Sequence, residues 1–393
     1  MSERRNYLIV GAGFSGAVIA RALVEHDSLA EVCVIDRRSH LAGNCHTERD
    51  GATGVMVHRY GPHIFNTNNE TVWNYVNRFG NFRPFLNRVK AVTPRGVFGL
   101  PINLLTINQF FGKSLNPTQA RSFLATLGDS TISEPANFEE QALKMLGREL
   151  YENFFYGYTV KQWGCDPREL PASVLTRLPV RFSYDDNYYE KKYQGIPEEG
   201  YTEIVRRIFD HPRIQIQLQT EFGTVNRGGF TRTFYTGSLD EYFDFQLGRL
   251  GYRTVTFERV EAEGDYQGNP VINYTSSTVP YTRIHEHKHF ASWETHSRTV
   301  AFREFSKETS AADEPFYPKR LERDKQLVRS YRALAEREKN ITFLGRLATY
   351  RYMDMETVIG EALDYGSRWG NTLAVEPNAL IPVFPNEEPS LRI

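Results

Sequence analysis

Residues 7–16 read Tyr7-Leu8-Ile9-Val10-Gly11-Ala12-Gly13-Phe14-Ser15-Gly16. The four apolar residues make the run of a strand buried on both faces of a parallel sheet. The glycines follow in G-x-G-x-x-G spacing and lead into Ala17-Val18-Ile19-Ala20-Arg21-Ala22-Leu23, a helical pattern. Gly11 permits the tight turn, Gly13 lets a pyrophosphate approach the backbone, and Gly16 lets the helix pack closely on the strand. Phe14 and Ser15 open that helix, whose free N–H groups and positive dipole end would face phosphates. A second apolar run, Val32-Cys33-Val34-Ile35, ends in Asp36, where a carboxylate is expected to accept from ribose hydroxyls. Glycine spacing alone is a weak signal. Strand, glycines, helix, strand and terminal acid in this order predict a dinucleotide site.

A basic, glycine-bearing stretch follows, Arg37-Arg38-Ser39-His40-Leu41-Ala42-Gly43-Asn44. Flavoproteins of the glutathione-reductase-like type carry such a stretch after their second strand, so FAD is the expected dinucleotide. At 393 residues the chain suits roughly two or three domains. Its formal net charge of −1 gives no reason to expect a nucleic-acid or membrane surface as partner. The opening Met1-Ser2-Glu3-Arg4-Arg5-Asn6 leads straight into a strand, and no apolar run approaches the roughly eighteen residues of a membrane helix. Neither a signal peptide nor a membrane span is expected. The three cysteines are scattered, without C-x-x-C spacing, which suits a reducing cytoplasm. The 22 tyrosines and 26 phenylalanines are the unusual item, because a phenol offers a stacking face and a hydroxyl together, as sugar and nucleotide recognition needs.

Tyr60-Gly61-Pro62-His63 places His63 on a turn or strand start. Residues 73–163 read as mostly helical, with apolar residues at spacings of three and four in 119–127 and 137–146, and a break with a cap at 133–137. Residues 178–197 suit strands joined by loops, 200–209 a helix, and 214–218 and 233–237 further strands of the nucleotide unit. Strand patterns dominate residues 253–305, then a helix near 320–338, a strand at 341–344 and a helix from about 355 return to α/β. The tail beyond Pro377 is expected to be poorly ordered.

Eight ordered stretches then carry a resemblance: Tyr60-Gly-Pro-His-Ile-Phe, Gly157-Tyr-Thr-Val-Lys-Gln-Trp-Gly, Arg177-Leu-Pro-Val-Arg-Phe, Asp186-Asn-Tyr, Tyr193-Gln-Gly-Ile-Pro, Val279-Pro-Tyr-Thr-Arg-Ile-His-Glu-His-Lys-His-Phe, Glu314-Pro-Phe-Tyr-Pro and Gly345-Arg-Leu-Ala-Thr-Tyr-Arg-Tyr-Met-Asp-Met. The chain resembles the bacterial UDP-galactopyranose mutases, FAD-dependent isomerases, as far as about Leu363. The resemblance implies an α/β fold: a discontinuous Rossmann-like FAD-binding domain (1–82, 200–245 and 314–393), an inserted helical domain (83–162) and a twisted antiparallel β-sheet domain (163–199 and 246–313) with a mobile lid near 166–180. It implies reversible ring contraction of UDP-galactopyranose to UDP-galactofuranose for cell-surface polysaccharide. Reduced flavin N5 attacks the anomeric carbon, UDP leaves, and the sugar recloses through an iminium before UDP returns. Only a reduced flavin supplies both the nucleophile and the nitrogen for that iminium. A cytoplasmic homodimer and a cellular reductant of unknown identity are also implied.

Site residues are assigned by the same resemblance. Arg177 and Arg283 match the two arginines that grip the diphosphate, for which a planar, permanently charged guanidinium suits better than lysine. A surface salt bridge is the bland alternative for each. Phe154, Tyr158, Thr159 and Trp163 match the uracil pocket, although 154 and 158 share a helix face at spacing four and would otherwise be read as core. Asn87, Tyr188, Asn273, Tyr317 and Tyr352 match further substrate contacts. His63 and Ile64 match the flavin's surroundings, Asp36 its ribose, Arg37 and Asn44 further cofactor contacts, and Glu221 and Phe222 its adenine side. Arg346 with Met353, Asp354 and Met355 matches a guanidinium and a helix entry that would stabilise the anionic reduced flavin. His285, His287 and His289 alternate, so a strand would aim all three to one side; the segment matches a metal-free motif, and no metal is expected. Asn66 stands where many relatives repeat histidine, which leaves open the same chemistry on UDP-N-acetylgalactosamine or dTDP-fucopyranose. An FAD-dependent oxidoreductase, or a non-catalytic nucleotide binder, is the other class of reading.

Overall fold

A computed structural model describes residues 4–177, 180–376 and 382–384. The first apolar run is the centre of a five-stranded parallel sheet. From edge to edge its strands are Ile214–Leu218, Ala30–Asp36, Arg5–Val10, Arg232–Tyr235 and Ile341–Phe343. Tyr7, Leu8 and Ile9 are fully buried, as a central parallel strand requires. Helix Phe14–His26 covers this sheet and packs against the long helix Met355–Val375. The two helices approach closely at Gly366, where a Cβ would lie 2.5 Å from that of Ala22. Small residues at such a crossing bring two apolar helix faces into contact, and one hydrophobic cluster runs from sheet through both helices.

A seven-stranded sheet forms the second layer, in the order Tyr317–Pro318, Tyr252–Glu263, Arg298–Glu308, Arg283–Glu286, Val271–Tyr274, Val89–Thr93 and Gly96–Leu100. Its pairings are antiparallel except for Val271–Tyr274 beside Val89–Thr93, which run parallel. Residues 82–100 therefore depart from the helical expectation for 73–163. Phe82–Pro84 joins a three-stranded sheet with Tyr193–Pro197 and Phe65–Thr67, and 89–100 extend the large sheet. The alternating burial of Val89, Ala91 and Thr93 is the strand period that helical spacing elsewhere in the segment obscures. Loop residues occupy 180–192, where strands were expected, and only Tyr193–Pro197 pairs.

Helices Leu104–Phe111, Pro117–Leu127 and Phe138–Leu150 make the helical layer. Each starts at an asparagine whose side chain accepts a first-turn amide: Asn103 from Thr106, Asn116 from Gln119, Asn137 from Glu140. The third helix kinks at Gly147 (φ +75°) and then runs through a π-helical turn, Tyr151–Tyr156, into Gly157–Trp163. Part of the tail expected to be loose is docked. The Val383 carbonyl accepts from Phe343 N at 2.8 Å, and Phe384 stacks on Phe343, so the edge strand of the parallel sheet is covered.

Candidate active site

At the glycine end the backbone leaves no room for side chains. Gly11 has φ +111°, and a Cβ on Gly16 would lie 1.9 Å from the Gly11 carbonyl oxygen. Gly13 caps helix Phe14–His26 without any side-chain hydrogen bond, so the first amides of the helix are left for a ligand. Ala42 and Gly43, both at positive φ, bring a second turn against Gly13. Asp36 accepts from Ala12 N and Arg38 N, each at 2.8 Å, one on each oxygen. A carboxylate has about four acceptor sites, so ribose hydroxyls can still be accepted. Arg37 is held between Glu241 and Glu314 at 2.8 and 2.7 Å, and Arg38 donates to Asn44 Oδ1 at 2.9 Å. The basic stretch is thus locked by glutamates distant in sequence. Exposed Glu221 and half-buried Phe222 follow strand Ile214–Leu218, with the Phe222 ring against Tyr235 and Tyr242.

His63 sits half-buried after the Gly-Pro turn, its Nδ1 2.8 Å from the Gly61 carbonyl, with buried Ile64 beside it in sequence. Burial and the charges of Arg346 and Arg283 push His63 down to about 4, so it is neutral at physiological pH. Arg346 follows strand Ile341–Phe343 through Gly345 and lies 5.0 Å from the centre of the Tyr317 ring. Met353 is buried, Asp354 caps helix Met355–Val375 through Thr357 N, and Lys191 pairs with Asp354 at 3.3 Å. The half-buried Met355 side chain packs into the core beside that helix. A bare helix start at one end, and a cation beside a neutral imidazole at the other, fit a flavin dinucleotide: phosphates at the first, an electron-rich ring at the second.

The opposite wall is built on the large sheet. Arg283 starts strand Arg283–Glu286 and lies directly across from Asn273. Its Nε is 2.9 Å from Oε1 of Glu304, whose side chain is 1 % exposed. Burial works against the Arg283 charge, but Glu304 more than offsets it and holds the guanidinium firmly protonated. Arg283 lies within electrostatic reach of Tyr158, Tyr188 and Tyr317, whose hydroxyls burial pushes up, Tyr317 to about 12. Tyr317 stacks on Tyr352 at 5.9 Å and 19°. Asn87 and Asn273 are buried with Oδ1 atoms that find no partner among the described residues, which suits two acceptors kept for a ligand. Thr159 is buried and Trp163 half-buried on the same short helix as Tyr158.

Phe154, on the turn just before that helix, is 3 % exposed and packs on Phe98 and Phe110 in the helical core. Residues 151–156 form a π turn that leads straight into helix Gly157–Trp163, so Phe154 lies about one turn before Tyr158. The histidine alternation holds only in part. His285 and His287 remain neighbours, with ring centres 6.3 Å apart, but the strand stops at Glu286 and residues 287–291 make a 3-10 turn that takes His289 off the strand face. His285 lies 3.3 Å from Glu304, His287 Nδ1 accepts from His58 N at 3.2 Å, and His289 lies 3.4 Å from Glu286. Asp265 and Glu286 come near His289, but Asp265 pairs with Lys288, and Glu286 accepts three backbone amides from 266–268. Arg177 ends a 3-10 turn, and its side chain lies outside the described residues. Glu304, the carboxylate that fixes Arg283, was not found from sequence. No local pattern marks it, because its meeting with Arg283 depends on the register of two strands.

A dinucleotide cradle facing a wall of arginine, phenols and free amide oxygens defines a flavin-type enzyme acting on a nucleotide-linked substrate. A family model described as UDP-galactopyranose mutase matches residues 153–352, and one for an NAD(P)-binding Rossmann-like domain matches 9–79. A probable UDP-galactopyranose mutase of Klebsiella pneumoniae is 53% identical over 97% of this chain and 98% of its own. A dTDP-fucopyranose mutase of Escherichia coli is 49% identical over 91% and 96%. A crystal structure of reduced UDP-galactopyranose mutase superposes with a TM-score of 0.73 at 14% identity, over 95% of this chain and 96% of that one. The chain belongs to the UDP-galactopyranose mutase family and is an isomerase; membership implies a flavin cofactor and a nucleotide-sugar substrate. No helix among the described residues is long and apolar enough to cross a membrane.

Proposed function

We propose that the enzyme interconverts UDP-galactopyranose and UDP-galactofuranose on a reduced FAD. The observation that carries this reading is the single constellation of Tyr158, Tyr188 and Tyr317 around Arg283, with the neutral His63 within reach of both Arg283 and Arg346. When bound, a reduced flavin supplies a nucleophilic nitrogen for the anomeric carbon of the sugar. Arg283 holds the diphosphate as it departs and returns, and its planar donor fork binds two phosphate oxygens at once. Glu304 keeps that fork aimed, as the 2.9 Å contact supports. The Tyr158 ring offers the uracil a stacking face, Phe154 backs it from the core, and Thr159 and Trp163 complete the pocket. Asn87 and Asn273 accept hydroxyls through their free Oδ1 atoms, with Tyr188 and Tyr352 beside them. Arg346 balances the negative charge of the reduced ring, and His63, neutral, takes or gives a hydrogen bond there without adding charge. Arg177 would grip the diphosphate from the other side when residues 166–180 close and exclude water. A cytoplasmic homodimer fed by a cellular reductant completes the proposal.

The dTDP-fucopyranose mutase relative favours a second reading, the same chemistry on a 6-deoxy sugar carried by dTDP. Anaerobic incubation of the yellow protein with dithionite and UDP-galactopyranose, reading furanose by chromatography, tests the proposal. Parallel tubes omit dithionite or substitute UDP-N-acetylgalactosamine or dTDP-fucopyranose. Turnover only when reduced, and fastest with UDP-galactopyranose, is expected. Preference for dTDP-fucopyranose would exchange the two readings, and no furanose in any tube, with flavin bound, would overturn both.

A further inference from the structure

Helix Gly157–Trp163, which carries Tyr158 and Thr159, lies across the turn that joins Val271–Tyr274 to Arg283–Glu286. Two of its residues, one turn apart, meet that turn. At Gly157 the backbones approach so closely that a Cβ would lie 2.3 Å from the Thr275 carbonyl oxygen and 2.9 Å from Ser277 N. At Lys161 the ammonium donates to four carbonyls of the turn: Tyr274 at 2.7 Å, and Ser276, Val279 and Tyr281 each at 2.9 Å. Its three protons are shared among four oxygens, so the turn is folded around the amine.

Burial pushes Lys161 down to about 8, so it keeps its charge at neutral pH. A half-buried cation whose hydrogen bonds all go to one loop does not serve solubility or a surface ion pair. The ends of that loop explain its placement: Asn273 precedes it and Arg283 follows it. The other side of the helix is fixed to the sheet by Arg253, which donates to the Gln162 and Lys161 carbonyls at 3.0 and 3.2 Å, and by Ser306, which donates to Gln162 at 2.7 Å. Cations at the last carbonyls of a helix also complement its dipole.

We propose that Lys161 is a positioning residue: by holding the 274–281 turn against the helix, it sets where Arg283 and Asn273 stand relative to Tyr158. The amine touches neither sugar nor flavin and acts through the backbone of its neighbours. This rests on the reading of the helix as the wall that holds the nucleotide.

The test measures UDP affinity in flavin-loaded protein, well below its melting temperature, for wild type, Lys161→Met, Lys161→Arg and Gly157→Ala. Lys161→Met is expected to weaken UDP binding about tenfold or more with unchanged flavin content, since hydrogen bonds from a charged donor are lost. Lys161→Arg restores most of it, because a guanidinium can still donate to several carbonyls. Gly157→Ala, which leaves the charge in place but forces helix and turn apart, weakens UDP in the same direction. A folded, flavin-loaded Lys161→Met binding UDP within about twofold of wild type overturns the inference, even if its melting temperature drops. Should the variants not fold, hydrogen exchange on the wild type decides. UDP is expected to protect residues 157–163 and 274–282 together, and protection confined to the helix overturns the coupling. A wild type that ignores UDP and dTDP alike overturns the underlying reading, and the inference with it.

Discussion

At the glycine end, residues 5–36 supply strand, turn, helix, second strand and acid from one continuous stretch, and Asp36 reaches back to Ala12 within it. At the arginine end, Tyr158, Asn273, Arg283, Glu304 and Tyr317 come from five separate segments, and strand register brings them together. The first arrangement depends on local backbone geometry. The second depends on the large sheet and on one short helix staying where they are. A change at the first end should therefore remove the cofactor and spare the nucleotide wall, while a change at the second should do the reverse.

The largest effect is expected at Arg283. Arg283→Ala removes the diphosphate cation and leaves the Glu304 carboxylate buried without it, and breaking such a pair costs on the order of 3–5 kcal/mol when fully buried. The partial exposure of Arg283 lowers that figure. Turnover of the reduced enzyme should fall roughly a thousandfold, as when a preorganised charge contact is lost from a transition state, while flavin stays bound. Arg283→Lys keeps the charge and loses the planar fork, so it should recover only part of the activity. Equal kcat/KM for lysine and arginine would break the argument from guanidinium geometry.

Gly16→Ala tests the other end. The added Cβ must displace the helix start from the Gly11 carbonyl, an overpacking that costs roughly 1–3 kcal/mol. Purified protein should hold much less flavin, read from its visible absorbance. UDP affinity of the remaining holoprotein should stay within about threefold of wild type. If flavin and UDP binding fall together, the two ends are not separable and the comparison fails.

Legibility in the sequence divides along the same line. The nucleotide unit could be read from residues 7–36 because its contacts are near in sequence and its glycines are needed by backbone geometry alone. Asn137 could be read as a cap for the same reason. The arginine wall was legible only by resemblance: nothing local distinguishes Arg283 from a surface arginine until strand Arg298–Glu308 brings Glu304 beside it. The histidine alternation holds only from 285 to 287 for a related reason. Spacing predicts a shared face only while the strand stays regular, and the strand end at Glu286 breaks that condition before His289.

The region between the two ends gives a pH prediction. His58, His63, His285 and His287 are all pushed below the ordinary histidine value, first of all by burial, with His63 at about 4 and His287 at about 3. Their folded values lie below their unfolded ones, so between these limits the unfolded chain binds protons that the native state does not. Stability contributed by the neutral rings is present above about pH 6.5 and is lost as pH falls toward 4. Proton uptake on unfolding at pH 5, measured by calorimetry in buffers of different ionisation enthalpy, should drop by about one for His63→Asn and by about one for His287→Gln. No change for either would mean that the ring is already charged in the native state.

The smallest effect expected separates ring from hydroxyl at Tyr317. Its ring lies 5.0 Å from Arg346 and is stacked 5.9 Å from Tyr352, so it links the flavin-side cation to the substrate-side phenols. The hydroxyl, pushed up to about 12 by burial, remains protonated at working pH and adds at most one hydrogen bond. Tyr317→Phe keeps the cation–π contact and the stack, and a single neutral hydrogen bond contributes about 1 kcal/mol, so kcat/KM should fall no more than roughly fivefold. Tyr317→Ala removes the ring as well, frees Arg346 to move and opens the wall to water, so its loss should be at least tenfold larger. If Tyr317→Phe were as damaging as Tyr317→Ala, the hydroxyl would be the working group, and this phenol would belong with Arg283 among the residues that touch the departing diphosphate.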